Sequence, residues 1–195
     1  MIYSLAIMPA PPIAEKVKNL KQLLRVEIGK SYGSANADAH ISLDSFEADE
    51  SHYPLVLVEY RRILAGLSPF PVEFSGYGHF DGYYPAFFVR LKKESEEAVK
   101  HRYKIVRETF GKPIRKQYMR KWQDESKAPH MTIGRRLTPE WINLAYSIFP
   151  EFEAHSECTS FVIRRYNEQR RQYDVIDTIP LLGRNREAGT QLSLV

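Results

Sequence analysis

Residues 39–43 read Ala-His-Ile-Ser-Leu, and residues 129–133 read Pro-His-Met-Thr-Ile. Each stretch has the order histidine, apolar residue, hydroxyl residue. In a β-strand, successive side chains point to opposite faces of the sheet, so residues two apart share a face. We therefore expect His40 and Ser42 to share one face of a strand, and His130 and Thr132 to share one face of another, with the apolar residues buried behind them.

Two such strands side by side would place two imidazoles and two hydroxyls around one cleft, which suits a phosphodiester. An imidazole titrates near neutral pH, so one histidine can take a proton from an attacking oxygen while the other gives one to the leaving oxygen. Ser42 and Thr132 can donate hydrogen bonds to the non-bridging phosphate oxygens. His40, His130, Ser42 and Thr132 are the predicted catalytic set, and this chemistry requires no metal and no cofactor.

A zinc site is the chemical alternative, because strand alternation places Asp38 and Asp44 on the face of His40. The second motif has Ala128 and Gly134 at the matching positions, and serine or threonine is a poor zinc ligand. The pattern therefore disfavours a metal site.

Three further residues are candidates for substrate binding. Lys127 and Arg135 flank the second motif and can neutralise phosphate charge, although both can equally be surface charges at a strand end. Phe80, close to Tyr84 at a predicted hairpin turn, can stack on a base or pack on the sheet.

The chain is mildly basic, with a net charge of +4 and an isoelectric point near 9.1. Between residues 90 and 121, twelve lysines and arginines face four acidic residues. Tyr103, Phe110 and Tyr118 are interleaved with them. This segment can follow a nucleic-acid backbone and stack bases, or it is simply a solvated basic helix and loop.

A chain of 195 residues can fill one core, so we expect one domain over residues 1–183 and a disordered tail over 184–195. Cys158 is the single cysteine, which excludes an internal disulfide and is compatible with a reducing cytoplasm. Residues 1–8 have the pattern of a strand, not of a signal peptide, and no apolar run approaches the roughly 18 residues that span a bilayer. We expect a soluble, cytoplasmic, monomeric protein.

Apolar periodicity predicts four helices, a mobile loop over residues 114–126 and strands around both motifs. Two predicted hairpins complete the pattern, one centred on Asp81-Gly82 and one on residues 167–170. The predicted order is strand, helix, motif strand, helix, hairpin, followed by helix, motif strand, helix, hairpin, which is an internal duplication in outline at the separation of about 90 residues between His40 and His130. We therefore expect an α+β, bilobal, duplicated fold with two antiparallel sheets flanked by helices around a central cleft.

With both motifs in place, the chain resembles the 2H phosphoesterase superfamily, which includes the 2′-5′ RNA ligases and the 2′,3′-cyclic phosphodiesterases. The signature of that superfamily is two copies of His-x-Ser/Thr with an apolar x, here His40-Ile41-Ser42 and His130-Met131-Thr132. Ala39 stands where many relatives have proline. The resemblance covers residues 1–182 in layout.

The resemblance implies a bilobal fold and metal-independent hydrolysis of a 2′,3′-cyclic phosphodiester, on an RNA end or a cyclic nucleotide, with 2′-5′ ligation as the reverse reaction. Two alternatives stay open at this stage. One is an RNA-binding module without turnover that relies on the basic segment 90–121. The other is a hydrolase of another small phosphoester.

Overall fold

The computed structural model describes residues 1–184. In that range nine strands and five helices follow one another along the chain. The strands are β1 (Ile2–Ile7), β2 (Ile41–Glu47), β3 (Phe70–Phe80), β4 (Ala86–Leu91), β5 (Arg120–Asp124), β6 (His130–Arg135), β7 (Glu153–Cys158), β8 (Ser160–Asn167) and β9 (Gln172–Pro180). The helices are α1 (Pro11–Ile28), α2 (Tyr53–Leu64), α3 (Lys93–Thr109), α4 (Lys112–Tyr118) and α5 (Pro139–Ile148). All of the predicted tail except Arg184 lies outside the described residues.

The strands form one antiparallel sheet in the order β7-β3-β4-β6-β2-β1-β8-β9, and β5 pairs with β2 outside this order. The predicted α+β class is confirmed. The two predicted sheets are the two halves of this single sheet, β7-β3-β4-β6 and β2-β1-β8-β9. They are continuous because the motif strands β2 and β6 pair with each other, through the register pair Ile41 and Met131.

The sequence duplication appears as two interlocked repeats. The first runs β1-α1-β2-α2-β3, and the second contains β4, α3, β6, α5 and β8 in the same relative order. In each repeat the first strand pairs with the motif strand, as β1 does with β2 and β4 with β6. The third strand of each repeat pairs with the first strand of the other repeat, as β3 does with β4 and β8 with β1. Each repeat therefore completes the other half of the sheet.

The predicted loop over residues 114–126 is wrong, because this segment contains most of α4 and all of β5. The strand β5 shows no apolar alternation, since only Trp122 carries a large apolar surface toward the interior. Its pairing with β2 makes it a strand. The polar edge strand β7 escaped prediction for the same reason.

Both motif strands contain a β-bulge directly after the hydroxyl residue. Leu43 is the extra residue of β2 against β1, and Ile133 is the extra residue of β6 against β4. A bulge inserts one residue into one strand of a pair and so reverses the alternation of side chains beyond it. The two bulges lie at equivalent positions of the two repeats, and they determine which later side chains face the cleft.

Asp44 lies beyond the first bulge and faces the core, so its predicted place on the face of His40 is wrong. Its carboxylate is fully buried and accepts hydrogen bonds from the hydroxyls of Tyr60 and Tyr103, from Trp122 Nε1 and from the backbone N–H of Leu5. Burial raises the pKa of Asp44 to about 6, against the lowering effect of these four donors. Asp44 thus joins β1, α2, α3 and β5 under the sheet.

Within residues 1–184, no helix combines the length and the apolar character needed to cross a membrane.

We predict that Asp44→Ala lowers the free energy of unfolding by at least about 3 kcal/mol, because it leaves four buried donors without an acceptor. Urea denaturation followed by circular dichroism measures the change. Asp49→Ala is the control, since Asp49 is exposed and paired with Arg120, and its loss should cost less than about 1 kcal/mol. Equal losses for the two variants would contradict the role assigned to Asp44.

Candidate active site

The pairing of β2 with β6 places the two motifs across from each other. Because Ile41 pairs with Met131 in an antiparallel ladder, the register puts His40 opposite Thr132 and Ser42 opposite His130. Directly opposed side chains in such a ladder have Cβ atoms about 4.5–5.5 Å apart. Ile41 and Met131 are fully buried on the other face. Each histidine therefore lies opposite the hydroxyl residue of the other motif.

Both imidazoles are held in the same way. His40 Nδ1 lies 2.7 Å from the backbone oxygen of Asp38, and His130 Nδ1 lies 2.7 Å from the backbone oxygen of Ala128. A carbonyl oxygen can only accept, so each Nδ1 must carry the proton. The neutral rings then have Nε2 unprotonated and available for proton transfer.

The surroundings of both histidines favour the neutral imidazole. Burial holds the pKa of His40 well below its ordinary value, and the positive charges of Arg164, Lys21 and Arg135 lower it further, against the hydrogen bond to the Asp38 carbonyl. The pKa of His130 is also lowered by burial and by Arg135. The Ala128 carbonyl and the carboxylate of Glu125 oppose that shift.

A cavity of about 480 Å³ opens at this face of the sheet. His40, Ser42 and Thr132 line it. Within residues 1–184 the side-chain hydroxyls of Ser42 and Thr132 accept and donate no hydrogen bond within the protein, so both are available to a ligand. Among residues 1–184, the lining contains five cationic residues and two acidic ones. The cations are Lys21, Arg135, Arg164, Arg170 and Arg171, and the acidic residues are Asp38 and Glu125. The cavity therefore favours an anion.

Arg135 reaches this cavity because of the second bulge. Without the extra residue Ile133, strand alternation would direct Arg135 away from Thr132; with it, both residues line the cavity. The backbone N–H of Arg135 donates to the Gly33 carbonyl at 2.8 Å. A Cβ on Gly33 would lie 2.7 Å from the Arg135 carbonyl oxygen, so glycine permits this close approach.

The aromatic candidate Phe80 lies against His130, with the two rings edge to face and 5.0 Å between their centroids. Phe88 packs on the same imidazole at 4.7 Å. These two rings hold His130 in place, and Phe80 keeps about a third of its surface exposed beside it. Lys127 is exposed and is not among the residues of 1–184 that line the cavity. Its role in binding stays a prediction.

The sequence patterns missed four of the five cations in this lining, and two of the four are buried. Lys21 is buried in α1 and donates to the carbonyl oxygens of Ala37 and Ser34, at 2.6 and 3.1 Å, and so fixes the loop that leads to His40. Arg164 is buried in β8. The sequence contains one signal for a buried arginine here. Arg164 directly follows the apolar residues 161–163, and a buried strand leaves little room for a solvated charge.

Two of the three aromatic residues that were expected to stack in the basic segment 90–121 are not accessible. Tyr103 and Phe110 are buried in the core, so neither can stack on a base. Several of its cations are held in ion pairs, among them Lys92 with Glu73, Lys100 with Glu96, Arg107 with Asp124, Arg120 with Asp49 and Lys121 with Glu47. Among residues 1–184, the cations that line a cavity together with available hydroxyls lie around His40 instead.

The zinc alternative loses one proposed ligand, because Asp44 faces the core. Within residues 1–184, no group of three or more histidine, cysteine, aspartate or glutamate side chains is arranged to hold a metal ion.

Comparison with known families gives one match. The profile described as the 2′-5′ RNA ligase superfamily matches residues 9–170, a range that includes both motifs, β8 and Arg164. A search of curated proteins gives no match.

Solved structures with the same fold cover nearly the whole chain. TT0787 of Thermus thermophilus is 20% identical, with a TM-score of 0.64 over 94% of this chain and 99% of its own. Escherichia coli LigT complexed with 3′-AMP is 14% identical, with a TM-score of 0.58 over 92% and 97%. Kluyveromyces marxianus Usb1 is 13% identical, with a TM-score of 0.55 over 92% and 98%.

We predict that both motif histidines titrate below pH 6.5 in the free protein, with His40 the lower of the two, because burial and three cations act on His40. NMR titration of the imidazole carbons, assigned with single His→Ala variants, measures both values. Arg164→Gln should raise the pKa of His40 and change that of His130 less, since Arg164 acts on His40. A pKa of His40 at or above 6.5 would contradict this electrostatic description.

Proposed function

The chain belongs to the 2′-5′ RNA ligase superfamily, and from this premise we propose that it is a metal-independent phosphodiesterase that opens 2′,3′-cyclic phosphodiesters at RNA ends or on nucleotides. One observation supports this most strongly: His40 and His130, each with Nδ1 bonded to a carbonyl, lie across from the hydroxyls of Thr132 and Ser42 beside a cationic cavity.

The proposed reaction is acid–base catalysis of hydrolysis at phosphorus. One imidazole takes a proton through Nε2 from water as the water oxygen bonds to phosphorus. The other imidazole, protonated at Nε2, gives its proton to the ribose oxygen whose bond to phosphorus breaks. Ser42 and Thr132 donate hydrogen bonds to the non-bridging oxygens, and Arg135 offsets the charge that builds up on them. The product is a linear phosphate monoester on the other ribose oxygen.

We assign the base to His40 and the acid to His130. The three cations near His40 favour its neutral form, which a base requires. His130 has Glu125 among its neighbours, and this carboxylate favours the protonated form. The aromatic contacts with Phe80 and Phe88 fix the orientation of the His130 ring.

The same groups can open the cyclic phosphate with a ribose 5′-hydroxyl in place of water, which would give a 2′-5′ linkage as the bond between phosphorus and the 3′ oxygen breaks. Nucleotides of suitable size bind to proteins of this fold, since LigT was solved with 3′-AMP and Usb1 with uridine monophosphate. We propose RNA ends or a cyclic nucleotide as the partner of this chain. The free, buried thiol of Cys158 is compatible with action in the cytoplasm.

We predict that His40→Ala and His130→Ala each lower kcat/KM for a nucleoside 2′,3′-cyclic phosphate by about 10² to 10⁴, the usual contribution of a positioned acid or base. Release of linear nucleotide, measured by chromatography in EDTA, reports the rate. His155→Ala is the matched control, because His155 is exposed on β7, outside the motif strands, and its rate should equal that of the wild type.

Two results would contradict the proposal. A folded wild type that opens neither a cyclic mononucleotide nor an RNA with a cyclic end would exclude this phosphodiesterase activity. If the double variant then keeps the RNA affinity of the wild type, the chain is an RNA-binding module instead.

The pH dependence of kcat/KM follows from the two lowered pKa values. His40 must be neutral and His130 protonated in the reactive free enzyme, so the profile is bell-shaped and its centre lies between their pKa values. Because both are below 6.5, we predict a maximum on the acidic side of pH 6.5 and a fall as the pH rises and His130 loses its proton. Initial rates at low substrate concentration between pH 4 and pH 9 measure this, and a maximum above pH 7.5 would be inconsistent with the assignment.

A further inference from the structure

Arg164 is a buried cation without an acidic partner among residues 1–184. Its side chain is 5% exposed. One guanidinium nitrogen, Nη2, donates to the Ser4 hydroxyl at 2.9 Å, and the guanidinium lies over the Tyr173 ring, 5.2 Å from its centroid. Its Nε has no hydrogen-bond partner among residues 1–184, and within that range no carboxylate forms an ion pair with it. Burying an unpaired charge is costly, and burial lowers the pKa of Arg164 only to about 10, so it is still cationic at neutral pH.

The sheet register aims Arg164 into the cavity. Ser4 pairs with Arg164, and Arg164 pairs with Val175, so these three side chains form one row across β1, β8 and β9. All three line the cavity. Tyr166 and Tyr173 pair in the adjacent row and line it as well.

The position of Arg164 differs from that of the reacting groups. Strand β8 is two strands from β2 in the sheet, which separates the backbones of Arg164 and Ser42 by about 10 Å. Arg135, by contrast, lies on the motif strand β6 itself, three residues after Thr132. The cavity therefore has one cation, Arg135, on a motif strand and another, Arg164, two strands away from β2.

The turn between β8 and β9 adds charge at the end of the cavity that contains Arg164. Arg170 and Arg171 both line this end. Arg170 is paired with Asp174, whereas Arg171 is exposed and has no ion pair among the described residues. We refer to Arg164, Arg170 and Arg171 as the arginine wall.

We propose that the arginine wall binds a second phosphate of the substrate, so that the preferred ligand carries one phosphate between the two histidines and another against Arg164. This rests on the proposed function and narrows its substrate class to cyclic phosphodiesters that bear a further phosphate. The second group is either a 5′-phosphate monoester of the same nucleotide or the phosphodiester that links it to the preceding residue of an RNA. The Nη of Arg164 that does not bond Ser4 supplies the donors, together with Arg170 and Arg171, and the tyrosines of the adjacent row can contact the sugar or base between the two phosphates.

Binding measurements test the proposal without any need for turnover. Isothermal titration compares three probes, adenosine 3′-monophosphate, adenosine 3′,5′-bisphosphate and the dinucleotide ApA with a 3′-phosphate. The wild type should bind at least one of the two-phosphate probes roughly 10- to 100-fold more tightly than the monophosphate, the range for charge-assisted hydrogen bonds. The probe with the larger gain identifies the source of the second phosphate.

Two variants and a control assign the gain to the arginine wall. Arg164→Gln should reduce the ratio of affinities to about one, and Arg171→Gln, on an exposed turn where the fold does not depend on it, should reduce it in part. Arg165→Gln is the matched control, because Arg165 is the next residue of β8, points to the opposite face and pairs with Glu50. Its ratio should equal that of the wild type. Thermal unfolding shows whether each variant is folded.

Three results would overturn the proposal: equal wild-type affinities for all three probes, an unchanged ratio in both arginine-wall variants, or an equal loss for the monophosphate and the two-phosphate probes in Arg164→Gln. The last would place Arg164 on the reacting phosphate. Each of these leaves the proposed phosphodiesterase activity intact, because that activity is tested by product release. Conversely, the expected affinity ratio in a protein that opens no cyclic phosphate would support the second-phosphate site and contradict the proposed reaction.

Discussion

The antiparallel pairing of β2 with β6 is the constraint on which the rest of the structure depends. One register pair, Ile41 with Met131, joins the two halves of the sheet, buries two apolar side chains and sets each histidine opposite the hydroxyl of the other motif. A shift of either motif strand by one residue would turn its histidine toward the core. The same contact therefore holds the fold together and aligns the site, which is why the duplicated motif lies at the centre of the sheet and not at its edges.

The two bulges are equivalent, but the residues that follow them differ and make the site asymmetric. Beyond the first bulge, Asp44 turns inward and becomes the hydrogen-bonded anchor of the core. Beyond the second, Arg135 turns toward the cavity. The same backbone irregularity thus adds a buried acid under one motif and a cation beside the other. With Lys21 and Arg164, this makes the surroundings of His40 more positive than those of His130.

Local patterns in the sequence were sufficient for much of this structure. The alternation around His40 and His130 and the Asp81-Gly82 turn each depend on residues close together in the chain, and each agrees with the structure. The strands β5 and β7 have polar sequences and exist because a partner strand pairs with them. Bulges are likewise a property of a pair of strands, so the faces of Asp44 and Arg135 were beyond the reach of one-strand alternation. Arg164 was missed because its cavity is formed by strands distant in sequence.

The central claim is that both histidines act on one phosphate. The most direct test is a nitrogen-15 NMR titration of the histidine-labelled protein with adenosine 3′-monophosphate. We predict that the Nε2 signals of His40 and His130 shift together and reach their end points at one equivalent of ligand, while both Nδ1 signals keep the position of a nitrogen bonded to a carbonyl. A shift of only one Nε2 signal, or two end points at different ligand ratios, would contradict a shared phosphate site.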